Sequence, residues 1–373
     1  MPPSPNLGQD DHLTPDTVPA PRAVFHAEQA LFGALLLEPH RRHTLTNITA
    51  GSFSTAEHTA VFTAITVLPT PAQNTHATNT TWLNQVLATA REQARALTAP
   101  YLHALIQVCP QPQHAPAYAR MIEAEHAQRR LRVGAERLLQ SVHDTSLPHP
   151  VHTVLAEADA LAAAVDNIAT RFPPRAGLLS RTPLPPPGPA PEHDDAAAEE
   201  EQALLATAAA RPADIGSARW LLPGDFTQPL HAGLWRCLTA LDRRHEPVDP
   251  VTVLWEAQQY GLLDDGSKPG EILRLLARSA PSLEHWGERI LRRSLLATAA
   301  NAARRIRTYT DDLANTPFQL VVGARRALAD LGAVRTRWQH ATGAVPPQRP
   351  RPASAPRASP PTTTAAHATH TPR

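Results

Sequence analysis

Histidine, cysteine and the basic side chains decide what chemistry this chain could do. There are 19 His, enough to raise the question of a metal site. Yet no His-x-x-x-His pair shares a clear helix face with a carboxylate, and His367 and His370 fall in a Pro-rich tail, so no metal is expected. His58 and His231 stand at matching places in two similar stretches, each just ahead of an apolar stripe. General-base work would require a carboxylate or nucleophile recurring in register with both, and the sequence displays none. Each is read as a histidine held by local hydrogen bonds at a helix start or packed against a neighbouring helix. Glu28 and Glu201 are placed in first turns, where the helix dipole favours an acid, as it does for the run Glu199–Glu201. No catalytic residue and no cofactor is assigned.

The two cysteines, Cys109 and Cys237, lie far apart in apolar stretches that read as helical. They are expected to be small core residues, not a metal knuckle or a disulfide. The 35 basic residues include a single Lys, Lys268, in Gly-Ser-Lys-Pro-Gly. A phosphate-binding P-loop needs Gly-x-x-x-x-Gly-Lys-Ser/Thr, with the Lys reaching the terminal phosphates; this sequence has none, so it is read as no P-loop ATPase. A net charge of +1 gives no global field toward nucleic acid or membrane. The N-terminal Met-Pro-Pro-Ser-Pro-Asn is unlike a secretory signal, and no apolar run approaches the ~18 residues of a bilayer span. The expected location is cytoplasmic, without membrane attachment.

Arginine gives the strongest binding signal. Arg289, Arg292, Arg293, Arg304, Arg305 and Arg307 fall in one predicted helix, with Glu288 beside them. An earlier series, Arg129, Arg130, Arg132 and Arg137, is diluted by Glu123, Glu125 and Glu136. Two readings compete for the later series. One is a solvated helix face paired with acids near Asp194 and Asp195; the other is a face that contacts phosphate or a protein partner.

These residues are positioned by an internal repeat. Glu28-Gln29-Ala30-Leu31 recurs as Glu201-Gln202-Ala203-Leu204, an offset of 173 that also carries Pro39, Gly51, Phe53 and His58 onto Pro212, Gly224, Phe226 and His231. The offset then falls to 171, pairing Tyr101–Pro110 with Ile272–Pro281, and later to 167, pairing Val154 and Leu161 with Val321 and Leu328. Both copies read as helical. Val151, Val154, Leu155, Ala158, Leu161, Val165 and Ile168 form one apolar stripe, and Phe318, Val321, Val322, Leu328, Leu331 and Trp338 form its counterpart. Glu38-Pro39 and Arg211-Pro212 should end the first helix of each copy. Asp249-Pro250 should begin one, as N-cap and first helical residue. Six or seven helices per copy are expected, and no strand.

Of 39 Pro, 22 lie in residues 1–21, 173–191 and 341–373, which sets the division of the chain. A disordered segment spans 1–21, the first helical domain 22–172, an extended Pro-rich linker 173–194, the second domain 195–340 and a disordered, Pro- and Arg-rich tail 341–373.

The second copy also carries Trp-Leu-Leu-Pro-Gly-Asp-Phe (220–226), Pro-Leu-His-Ala-Gly-Leu-Trp (229–235) and Glu-Pro-Val-Asp-Pro (246–250). This series resembles the N-terminal domain of the bacterial replicative helicase DnaB. The first copy resembles it more loosely, through Ala-Glu-Gln-Ala-Leu-Phe-Gly (27–33) and Ser-Phe-Ser-Thr-Ala-Glu-His (52–58), and lacks the Pro-Val-Asp link. The resemblance implies an all-α pair of tandem collar domains without the RecA-like motor. It implies self-association through C-terminal helical hairpins and contacts with helicase, primase or loading factors. The expected function is non-catalytic docking on such a replication protein. The alternative is a nucleic-acid-binding regulator that uses the Arg-rich helix and the basic tail.

Overall fold

The computed structural model describes residues 22–72, 80–174, 194–263, 266, 268–277 and 282–343. The expected disordered head, most of the linker and nearly all of the tail lie outside these residues. Among the described residues the chain is all-α, with twelve α-helices, short 3-10 segments and no strand.

The helices of the first copy are α1 (Ala23–Leu37), α2 (Ala56–Val67), α3 (Thr81–Arg91), α4 (Ala99–Gln107), α5 (Ala115–His143) and α6 (Pro150–Arg171). Those of the second are α7 (Asp195–Ala210), α8 (Pro229–Arg244), α9 (Pro250–Gln259), α10 (Pro269–Leu276), α11 (Leu283–Asp311) and α12 (Pro317–Ala341). Sequence punctuation set these ends as expected. α1 stops one residue before Glu38-Pro39 and α7 one before Arg211-Pro212. The Asp249 carboxylate accepts from the backbone of Val251 and Thr252, and Pro250 opens α9, where a missing N–H costs nothing.

Contacts divide the chain into two units, Met1–His193 with Arg292–Val334, and Asp194–Leu291 with Arg335–Arg373. In the first, α1 is the central helix. Leu31, Phe32, Ala34, Leu35 and Leu36 are all buried, so this helix has almost no solvated face, as a core helix should. It packs on α4 and α5, while α2 packs on α3. Phe53, Val61, Ile65, Trp82, Val86, Leu102, Leu105 and Ile122 complete the core.

The α5–α6 hairpin extends this unit, and Arg292–Val334 joins it. Gln128 Nε2 donates to the Thr310 carbonyl at 2.6 Å, Arg132 pairs with Asp311, and Arg325 with Asp166 at 2.9 Å. The predicted α6 stripe is buried at Val154, Ala158, Leu161, Val165 and Ile168, whereas Val151 and Leu155 are half-buried. On α12 the buried set is Leu320, Val321, Gly323, Ala324, Ala327, Leu331 and Val334. Of the expected stripe, Phe318, Val322, Leu328 and Trp338 sit half-buried at its margins.

In the second unit α7 packs on α8 and α10, and α9 on α8 and α10. Leu204, Leu205, Leu234, Trp235, Leu238, Val253 and Ile272 are buried there. The Trp235 indole donates to the Leu221 carbonyl at 3.1 Å, so its polar atom is satisfied inside the core. Arg337 grips the buried Asp225 carboxylate and also donates to the Trp220 carbonyl. One expectation is corrected here. Cys109 lies two residues beyond the end of α4 and is half-buried, not within a helix, whereas Cys237 is buried on α8.

Candidate interaction surface

The six arginines assigned from the sequence are all on α11, Arg289 in the second unit and the others in the first. Arg289 donates to Glu200 on α7, at 2.8 Å from Nε, and lies over the Trp286 ring with its guanidinium carbon 5.9 Å from the centroid. Arg305 pairs with Asp330 on α12 at 2.8 Å, and Arg304 donates back one turn to Asn301 at 2.7 Å. Arg293 is half-buried, while Arg292 and Arg307 are exposed. Exposed pairs of this kind are worth about 0–1 kcal/mol, so they orient the guanidinium groups more than they hold the fold.

The earlier series is built into the first unit. Arg129 donates to the carbonyls of Ser52 at 2.6 Å and Phe53 at 3.0 Å and pairs with Glu125 at 2.6 Å, tying the 3-10 turn Ala50–Ser52 to α5. A groove of about 490 Å³ runs between α5 and α6, lined by His126, Arg130, Arg137 and Glu157 among others. Burial, with Arg129, Arg130 and Arg171 nearby, pushes the His126 imidazole down to about 4.

The sequence offered no partner for His58 and His231, and the fold supplies one for each. His58 Nδ1 donates to Glu28 Oε2 at 2.5 Å, and the same carboxylate accepts from the Ser54 backbone and hydroxyl, both at 2.8 Å. In the second copy His231 Nδ1 donates to Glu201 Oε2 at 2.8 Å, with Thr227 backbone and hydroxyl donating at 2.7 and 2.8 Å. A carboxylate therefore does recur in register, and both glutamates are corrected from first-turn dipole acids to buried hydrogen-bond acceptors. Glu28 is the sixth residue of α1 and Glu201 the seventh of α7, beyond the turn where the dipole acts.

A carboxylate that only accepts fixes the proton on Nδ1 and so fixes the ring's orientation. Burial pushes the Glu201 carboxyl up, but bonds from His231 and Thr227 together outweigh it and hold it below the usual carboxylate range. His58 goes one step further: its Nε2 lies 2.7 Å from the Tyr101 hydroxyl. Burial, with Glu57 and Glu28 nearby, pushes that phenol up. Both pairs lock the start of the second helix of a copy onto its first.

Sequence reasoning also passed over an apolar surface. Val251 and Trp255, one turn apart on α9, are 67% and 63% exposed, with Tyr260 exposed just beyond the helix end. Among the described residues no group of three or more His, Cys, Asp or Glu could hold a metal ion, and no helix is long and apolar enough to cross a membrane.

Two all-α copies, each fastened by the same carboxylate–imidazole–hydroxyl cluster, define a duplicated helical domain. The family model described as DnaB-like helicase N terminal domain matches residues 20–124 and 193–290, together more than half of the chain, and the chain belongs to that family. No curated protein and no solved structure gave a match. The matched segments include both Glu–His pairs and stop at the beginnings of α5 and α11, so the two long hairpins lie largely beyond them.

Proposed function

We propose that this chain is a non-catalytic, replication-associated interaction protein that docks on a replicative helicase, primase or loader through its two collar-type domains. The observation that carries this reading is the family match: two segments of a helicase N-terminal domain in one sequence, with no motor segment matched. No Gly-x-x-x-x-Gly-Lys-Ser/Thr stretch occurs in the sequence to bind nucleotide phosphates. The duplicated units are taken as 22–172 and 195–340, a division by descent that the contact units need not follow.

Arg289, Arg292, Arg293, Arg304, Arg305 and Arg307 remain the assigned contact residues, with exposed Arg292 and Arg307 foremost. Val251 and Trp255 support a second point of contact, since neighbouring exposed apolar side chains mark protein-binding surfaces. Gln128–Thr310 and Arg325–Asp166 join hairpin residues of both copies within one chain, which favours intrachain pairing over self-association between chains. A cytoplasmic location belongs to the same proposal.

Co-purification with the host helicase and primase is the direct trial. Retention of either at micromolar concentration is expected, and retention of neither rejects the reading. The competing reading, a nucleic-acid-binding regulator, is favoured by the exposure of Arg292 and Arg307. It requires affinity that falls with salt by a slope of about −0.9 per duplex phosphate contacted. Unchanged DNA affinity after R292A/R307A rejects it.

A further inference from the structure

The two copies fasten their histidines alike but differ on the far side of the ring. In the first, the Tyr101 hydroxyl fills the place beside Nε2 of His58 at 2.7 Å, its ring 20° from parallel with the imidazole. In the second, no described residue bonds to Nε2 of His231, although the side chain is only 6% exposed. This ring instead lines a cavity of about 440 Å³ with Gln202, Leu230, Glu271, Ile272, Arg274 and Leu275.

The difference is a substitution in the chain itself. Leu102 and Leu105 are the buried residues of α4, and Ile272 and Leu276 those of α10. Their spacing differs by one residue, so Tyr101 corresponds to Ile272 by the later pair and to Glu271 by the earlier one. Neither carries a phenol. With Nδ1 committed to Glu201, Nε2 is the ring nitrogen left to meet a partner group. The ring edge lines the cavity, so an incoming O–H can meet Nε2 there as the Tyr101 hydroxyl meets His58. Leu230, Ile272 and Leu275 supply apolar wall, and Arg274 and Glu271 supply polar groups.

We propose that this cavity receives the tyrosyl side chain of a docking partner, its hydroxyl donating to His231 Nε2 as Tyr101 does to His58. The inference rests on the docking reading for the origin of that side chain, but the cavity can be tested without any partner. N-acetyl-tyrosinamide is titrated into the full chain, with N-acetyl-phenylalaninamide as the control that lacks the hydroxyl. The tyrosine amide should shift the His231 ring resonances saturably and bind about threefold to tenfold more tightly than the control.

Two variants fill the cavity from within: E271Y, at an exposed position, and I272Y. At least one should abolish the response. H231N keeps a donor for Glu201 but has no Nε2, and ligand-observed NMR should find its preference for tyrosine over phenylalanine gone. No saturable His231 shift, an equal response to both amides, or binding that survives both filling variants overturns the assignment. Such a failure leaves the docking reading standing, because that is judged by co-purification.

Discussion

The Glu28 carboxylate and the His58 imidazole meet at 2.5 Å with neither side chain exposed, and Glu201 and His231 repeat the relationship at 2.8 Å. Removing one member of a buried charged or strongly hydrogen-bonded pair leaves the other desolvated and unmatched, at a cost of about 3–5 kcal/mol. Glu28→Ala and Glu201→Ala should each lower the urea midpoint by that order with little change in slope. Glu28→Gln, which keeps an acceptor oxygen, should cost distinctly less.

The Glu201 carboxyl is held below its ordinary value of 4.5 in the fold. Its contribution to stability is fully present above the unfolded value and is lost as pH falls through the depressed folded one. Acid titration of the chain should therefore lose stability below about pH 4.5, and Glu201→Gln should flatten that part of the profile. An unchanged acid slope in Glu201→Gln would place the dependence elsewhere.

Gly33 and Gly224 predict opposite outcomes for the same substitution. A Cβ on Gly33 would stand 2.6 Å from the Cys109 Cβ and closer still to the Leu105 carbonyl, whereas one on Gly224 meets nothing within 4 Å. A backbone carbonyl cannot rotate away as a side chain can. Gly33→Ala should cost about 1–3 kcal/mol, and Gly224→Ala should leave the thermal midpoint nearly unchanged.

Cys237 is fully buried, and burial, with Glu256 nearby, pushes its thiol up to about 12. The thiolate is the reactive form. Ellman's reagent should modify Cys109 before Cys237 in the native chain, and Cys237 only on denaturation. Prompt labelling of Cys237 in the folded chain would contradict its placement in the α8 core.

The fold class, the helix ends and the existence of two copies were legible because Pro, Asp and the offset of 173 act locally. The Glu–His pairs were not, although a signal was present: both pairs are separated by 30 positions, with Ser54 or Thr227 four positions before the histidine. Equal separation in two copies identifies residues that must face one another, which a search for a nearby carboxylate misses. The Arg assignments illustrate a second limit of local reading. Glu200 and Asp330, the partners of Arg289 and Arg305, lie 89 and 25 positions away, and on α12 the expected stripe is buried at Val321 and Leu331 but not at Phe318, Val322, Leu328 or Trp338.

Gln128 and Thr310 are 182 positions apart, so the unit begun first in synthesis stays incomplete while residues 194–291 of the other are made. By the time Arg292 emerges from the ribosome, α1–α6 and residues 194–291 have all been made. The hairpin of α5 and α6 must still wait for Thr310, Asp311 and Arg325. A nascent chain halted before Arg292 leaves those contacts unmade. Closure of the earliest-made half thus reports that translation has passed through Val334.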